Sequence, residues 1–149
     1  MFENRTGSTR IGLAIIEAEK LLEPMSEMML ELRNKNDWRY DSGTGEQVHA
    51  KILAKREALR VNLFRYRNPF SKAIGHYSGG PDAYFNERLV DSMPITGIIA
   101  NLLHERMHFC GFHHQDPGWL GARRANVKTP EKCAYSVPYF ISENVGRWL

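Results

Sequence analysis

Two closely spaced histidines with a glutamate between them form the part of this sequence best suited to chemistry. Residues 104–114 read HERMHFCGFHH, which contains the pattern HExxHxxGxxH. The short form, HExxH, recurs by chance in unrelated proteins, whereas the eleven-residue form does so rarely. Imidazole is a common zinc ligand, and a carboxylate beside such a site is a common general base. The pattern therefore predicts a zinc site that performs metal-assisted hydrolysis.

Helical geometry explains the spacing of the first two ligands. At about 100° per residue, His104 and His108 lie about 40° apart and one turn apart, so both rings can point at one cation. Glu105 lies about 100° around the helix from His104 and does not need to coordinate the ion. We therefore expect Glu105 to act as the general base for a water activated by zinc.

The third ligand requires the helix to end. Glycine readily adopts the left-handed conformation that terminates helices, and a turn at Gly111 would bring His114 back to the first two histidines. Three protein ligands leave one position for water, as in catalytic zinc sites. A change of register would substitute the adjacent His113, which we expect to be a bystander. Cys110 points away from His104 on the helical wheel and is expected to be a core thiol.

The extended pattern resembles the signature of the metzincin clan of zinc metalloproteases. The resemblance covers roughly residues 61–114, in the order strand, strand and active-site helix. It implies a zincin-like fold with one set of zinc ligands: His104, His108 and His114. It also implies that Glu105 is the general base and that Gly111 forms the turn. Peptide-bond hydrolysis on a peptide or protein substrate follows as the expected activity.

Other segments carry the same resemblance. Residues 84–89 are similar to the strand that precedes the active-site helix in many small zincins. The edge strand nearest the cleft usually receives substrate in extended form, and residues 72–77 are the candidate for it here. Metzincins have a methionine turn after the third histidine, but no Met follows Met107 in this chain. Residues 136–139 stand in its expected place and resemble the corresponding stretch of small bacterial and phage zincin-like proteins.

A tyrosine near that turn is a further candidate for the site. The resemblance implies that Tyr139, or alternatively Tyr135, donates a hydrogen bond to the tetrahedral intermediate. A buried structural tyrosine is the alternative for either residue.

Hydrophobic periodicity predicts the elements around the motif. A helix over residues 9–34, capped by Ser8 or Thr9, is expected to kink or divide at Pro24. A loop over residues 34–45 precedes a second helix, whose pattern runs through Val48, Ile52 and Leu59 with three basic residues facing water: Lys51, Lys55 and Arg56. Strands are expected from Val61 to Tyr66, from Ala73 to Tyr77 and from Ala83 to Val90, with a turn over residues 78–82.

The motif helix and the C-terminal segment complete the predicted fold. The motif helix is expected to begin near Asp91 or Ser92, to include Pro94 in its first turn and to end at Gly111. It should be buried on nearly all sides, so that Arg106 needs an acidic partner or a route to solvent. A helix is expected over residues 139–149. The prediction is one α+β, zincin-like domain spanning residues 1–149, with a small mixed sheet packed on helices.

Composition limits the other classes of function. The chain has 149 residues, of which 42% are hydrophobic and 25% charged, as in one globular domain. No apolar stretch approaches the ~18 residues of a membrane span, and residues 1–7 do not resemble a secretory signal, so a cytoplasmic location is expected. Cys110 and Cys133 are expected to be free thiols, although a bridge is possible in an oxidising compartment.

The basic residues raise a nucleic-acid alternative. Arg65, Arg67 and Lys72 alternate with three aromatic residues, as on a surface that binds single strands: Phe64, Tyr66 and Phe70. A half-buried strand explains the period of two better, and the net charge of +3 is small. A nucleic-acid partner is therefore disfavoured, and the oligomeric state is not predicted. The remaining alternative to a peptidase is a zinc-binding interaction module that does not hydrolyse peptides.

Overall fold

The computed structural model describes residues 1–31, 45–65, 67, 74–112, 145–147 and 149. These residues form an α+β fold, with a hydrophobic core built from four helices and one face of a mixed sheet. The strands are β1 (Phe2–Asn4), β2 (Leu59–Phe64), β3 (Gly75–Tyr77) and β4 (Asp82–Asn86). The helices are α1 (Thr9–Glu31), α2 (Gly45–Ala54), α3 (Glu87–Val90) and α4 (Ile95–Phe109), followed by a 3-10 turn at Val145–Arg147.

The sheet has the order β1-β2-β4-β3. β1, β2 and β4 are parallel, and β3 runs antiparallel to β4. Gly79 and Gly80 both have positive φ in the connection between β3 and β4, where the sequence predicts a turn. The three predicted strands are present, and β1 is an additional strand that the sequence pattern does not predict.

The predicted strand from Ala83 to Val90 is wrong in its second half. β4 ends at Asn86, and residues 87–90 form the short helix α3. The reason lies in the neighbouring strand, since Asn86 pairs with Phe64, the last residue of β2. Beyond that pair β2 offers no further ladder, and the chain turns into a helix that buries Val90.

The first helix is continuous, although the sequence predicts that it kinks or divides at Pro24. Ser8 is the cap, because its hydroxyl oxygen accepts a hydrogen bond from the Ile11 N–H at 3.4 Å. α1 then runs through Pro24 to Glu31 as one helix, so the prediction of two shorter helices is wrong. Packing against α2 and α4 explains the continuity, since the buried stripe extends to both sides of the proline: Ile11, Ala14, Ile15, Ala18, Leu21 and Met25.

The second helix is shorter than its pattern indicates. α2 ends at Ala54, and Leu59 is the buried first residue of β2. Lys51 is exposed, as predicted, and Lys55 is partly exposed. Their ammonium groups also lie 4.6 and 4.3 Å from the ring centroids of Phe112 and Phe109. These cation–π contacts join α2, and the residue that follows it, to the end of α4.

The motif helix occupies the centre of the fold. α4 begins at Ile95 rather than near Asp91 or Ser92, because the N–H groups of Ser92 and Met93 bond the Leu89 carbonyl in a turn. Its first residue, Ile95, is 37% exposed, but the helix is otherwise buried on most sides, as predicted. The buried residues are Ile98, Ile99, Leu102, Leu103, Glu105, Arg106, Met107 and Phe109.

Arg106 is fully buried, and its hydrogen-bond partners among the described residues are carbonyl oxygens. The guanidinium donates to the carbonyl oxygen of Glu57 at 2.7 Å and to that of Lys55. Both carbonyls lie just beyond the C-terminus of α2, where the helix dipole favours a cation. Within the described residues, backbone acceptors therefore take the place expected for an acidic partner or a route to solvent. Burial lowers the pKa of the Arg106 guanidinium from its usual value.

Several predicted features lie outside the described residues. They are the loop over 34–45 apart from its last residue, Tyr66, Phe70, Lys72, Cys133 and most of the C-terminal helix. Among the residues that are described, no helix has the length and apolar character needed to cross a membrane.

Replacing Arg106 with Met tests the buried guanidinium. The side-chain volume is largely kept, but the hydrogen bonds to the Lys55 and Glu57 carbonyls are lost. Since hydrogen bonds from a charged group contribute about 1.5–3 kcal/mol each, we expect the free energy of unfolding to fall by roughly 3 kcal/mol or more. Urea denaturation measures the change. Arg5→Met is the control, because Arg5 pairs with Glu3 at the surface and its loss should leave the midpoint unchanged.

Candidate metal and hydrolytic site

His104 and His108 lie side by side on α4, as the sequence predicts. Their ring centroids are 5.0 Å apart, and the ring planes are inclined by 76°. Two imidazoles that bind one zinc ion at about 2.0–2.1 Å with a tetrahedral angle have centroids about 5 Å apart. The observed separation therefore fits two rings that share one cation.

The tautomer of His108 is set by the end of the helix. Its Nδ1 atom lies 2.8 Å from the carbonyl oxygen of Phe112. A carbonyl oxygen only accepts hydrogen bonds, so in the neutral ring Nδ1 carries the proton and Nε2 carries the lone pair. An imidazole oriented by such a bond is typical of metal-ligating histidines. The hydrogen bond therefore leaves Nε2 as the ring nitrogen that carries the lone pair.

Gly111 ends the helix in the left-handed conformation, as predicted. Its φ is +84°. The N–H of Gly111 donates to the His108 carbonyl at 2.8 Å, and the N–H of Phe112 donates to the Met107 carbonyl at 3.1 Å. These two bonds define a Schellman motif, with Cys110 as C-cap and Gly111 at C′. The motif turns the chain away from the helix axis three residues before His114.

Lys51 holds this turn from outside the helix. Its ammonium group donates to the Gly111 carbonyl oxygen at 2.9 Å while lying over the Phe112 ring. Gly111 and Phe112 thus receive hydrogen bonds from two sides, one from α2 through Lys51 and one from α4 through His108. The direction of the chain after the helix is therefore constrained by tertiary as well as local contacts.

Glu105 is buried beside the two histidines, with 4% of its surface exposed. Its Oε2 atom is buried and has no hydrogen-bond partner within the described part of the chain. Burial raises the pKa of Glu105 to about 7, and a hydrogen bond from the main-chain N–H of Tyr77 opposes that shift. The carboxylate therefore retains an acceptor atom that the described structure does not use.

Strand β3 lies along the carboxylate. The Asn86 N–H donates to the Ile74 carbonyl at 2.7 Å, and Tyr77 pairs with Ala83. Since hydrogen-bonded and non-hydrogen-bonded pairs alternate along an antiparallel ladder, the N–H of Tyr77 points away from β4. That outward N–H bonds Glu105, and the ring of Tyr77 stacks on His108 with a centroid distance of 6.2 Å and an angle of 14°.

Tyr77 was missed as a site residue by sequence reasoning. The available signal was its place in residues 72–77, the segment expected to form an edge strand. β3 is the outermost strand of the described sheet on that side, so this expectation holds for residues 75–77. Nothing in the local pattern indicates that Tyr77 contacts both the glutamate and a histidine, because those contacts join distant parts of the chain.

The remaining predicted site residues divide into two groups. Cys110 is a buried free thiol of the core, as predicted, and burial raises the pKa of this thiol. His113, His114, Tyr135 and Tyr139 lie outside the described residues. The described ranges accordingly hold no group of three or more potential metal ligands. The third ligand and the tyrosine donor stay predictions.

Gly111→Ala tests the turn after the helix. An L-residue at positive φ costs about 1–2 kcal/mol, and the new Cβ would lie 3.2 Å from the Lys51 ammonium nitrogen. We expect a loss of that size in the free energy of unfolding, measured with urea. Gly12→Ala inside α1 is the control and should be neutral or stabilising by up to about 1 kcal/mol. Equal effects of the two substitutions would contradict the role given to the turn.

Comparison with known proteins identifies no relative. No protein-family model, no curated protein sequence and no solved structure matches this chain.

Proposed function

We propose that this chain is a zinc-dependent peptidase, with an ion held by His104, His108 and His114 and with Glu105 as general base. The observation that carries the proposal is the paired arrangement of His104 and His108. Their ring separation of 5.0 Å suits a shared tetrahedral ion, and the Phe112 carbonyl directs the Nε2 atom of His108 to it. The same proposal includes a zincin-like fold.

The residues on α4 fit the chemistry of that ion. Neutral imidazoles are suitable zinc ligands. His114 could join the first two histidines only if the chain changed direction after the helix, and Gly111 ends the helix three residues before it. Zinc bound there would supply a Lewis acid, which makes water nucleophilic near neutral pH and polarises a carbonyl group.

Glu105 supplies the proton transfers in the proposed reaction. Hydrolysis adds water to the carbonyl carbon, breaks the C–N bond and leaves an amine that needs a proton. The unpartnered Oε2 atom of Glu105 can accept the proton of the attacking water and return it to the leaving amine. The hydrogen bond from Tyr77 leaves this second oxygen available for that role. Tyr139 would add a hydrogen-bond donor to the tetrahedral intermediate, in line with the resemblance.

Glu105→Gln tests the base. The amide keeps the shape of the side chain but cannot accept the proton, so we expect cleavage of fluorescently labelled casein to fall about 10²–10⁴-fold while zinc content stays unchanged. Glu87→Gln is the control, since Glu87 pairs with Arg65 at the surface, and its activity should remain within about twofold of the unmodified chain. An active Glu105→Gln variant would refute the mechanism.

His108→Ala tests the metal ligand. Removing one of three ligands from a zinc site should lower the affinity for zinc by more than about tenfold, measured by competition with a chromogenic chelator. His76→Ala is the control, because His76 is exposed on β3 and stacks on Tyr84 instead of facing α4. Equal zinc affinities in the two variants would remove His108 from the site.

The measurements also separate the peptidase from the alternative interaction module. Zinc binding that depends on His108, combined with no hydrolysis of casein by the unmodified chain, would favour the non-hydrolytic module. A nucleic-acid role receives no support from Arg65, whose guanidinium is engaged with Glu87 at 2.6 Å.

A further inference from the structure

We propose that Tyr77 is a positioning residue of the candidate site. Its main-chain N–H orients the carboxylate of Glu105, and its ring holds the imidazole of His108. The inference rests on the proposed function, to which it adds a residue of the sheet that acts through the base and one ligand. Two separate sets of contacts carry it.

The first set involves the backbone of β3. Because the Tyr77–Ala83 pair is a non-hydrogen-bonded pair of the ladder, the Tyr77 N–H is not used within the sheet. It donates instead to the Glu105 carboxylate. Gly75, two residues earlier, faces the same group, since a Cβ built there would lie 3.4 Å from Glu105 Oε1. The strand thus runs beside the carboxylate and restricts its orientation.

The second set involves the ring of Tyr77. It lies nearly parallel to the His108 ring, at an angle of 14°, and its centroid is 6.3 Å from that of Phe109. The His108 ring is also held at its edge by the bond from Nδ1 to the Phe112 carbonyl. Rotation of the imidazole would disturb both the stacking and the hydrogen bond. Tyr77 and Phe112 therefore restrain the same ring from different directions.

An amide-to-ester replacement at Tyr77 tests the backbone contact. The α-hydroxy analogue of tyrosine removes the N–H and keeps the side chain, and no ladder hydrogen bond is lost because that N–H points away from β4. We expect kcat on labelled casein to fall about tenfold, since the base loses its orienting donor, while KM and zinc affinity stay within about twofold. An unchanged kcat would overturn this part of the proposal.

Tyr77→Leu tests the ring, with Tyr84→Leu as matched control. Tyr84 is also an aromatic residue of the sheet, but on the opposite face, where it stacks on His76 and makes an edge-to-face contact with Phe64. We expect Tyr77→Leu to weaken zinc binding about tenfold and to shift the visible absorption of the cobalt-loaded chain, and Tyr77→Phe to restore both. A merely structural role would make the two leucine variants alike in zinc affinity and cobalt spectrum, which would refute the proposal.

The experiments distinguish failure of the proposed peptidase activity from failure of the role given to Tyr77. If the unmodified chain does not cleave casein, the peptidase is refuted, but zinc affinity and the cobalt spectrum still test the ring of Tyr77. The backbone contact is then tested by the ¹³C chemical shift of the Glu105 carboxyl group, which should change in the ester variant. An unchanged shift would overturn it.

Discussion

The candidate site depends on reciprocal hydrogen bonds between α2 and α4, in which a cationic side chain of each helix binds carbonyl groups just beyond the C-terminus of the other. Arg106 of α4 donates to two carbonyls just beyond α2, and Lys51 of α2 donates to the Gly111 carbonyl just beyond α4. Each cation lies where a helix terminus offers unpaired carbonyl oxygens. Because of these hydrogen bonds, the direction in which the chain leaves α4 depends on how α2 packs against it.

The sheet supplies the other side of the site. The short antiparallel strand β3 places an outward-facing N–H against Glu105 and an aromatic ring against His108. The buried glutamate thus has one contact that orients it and one oxygen without a described partner. Burial disfavours the charged form of the Glu105 carboxylate, whereas the hydrogen bond from Tyr77 favours it.

The elements that sequence periodicity predicted correctly are those whose burial follows from their own pattern. The long helix α1, strand β2 and the central helix α4 all have apolar residues at the period of their structure. The errors fall where a neighbour decides the outcome. Residues 87–90 leave the sheet because β2 ends at Phe64, and Leu59 joins the sheet because it pairs with Phe2 of β1. The local sequence pattern of a segment does not show where a neighbouring strand ends or with which strand the segment pairs.

By itself, the sequence determined the helical face shared by His104 and His108 and the termination of that helix at Gly111. Both depend on the angle per residue of an α-helix and on the conformational freedom of one glycine, which are local properties. Only the tertiary structure decided the carbonyl partners of Arg106 and the contact of Tyr77 with Glu105. These interactions join groups whose meeting depends on how helices and strands pack, and residue spacing within one element does not encode that packing.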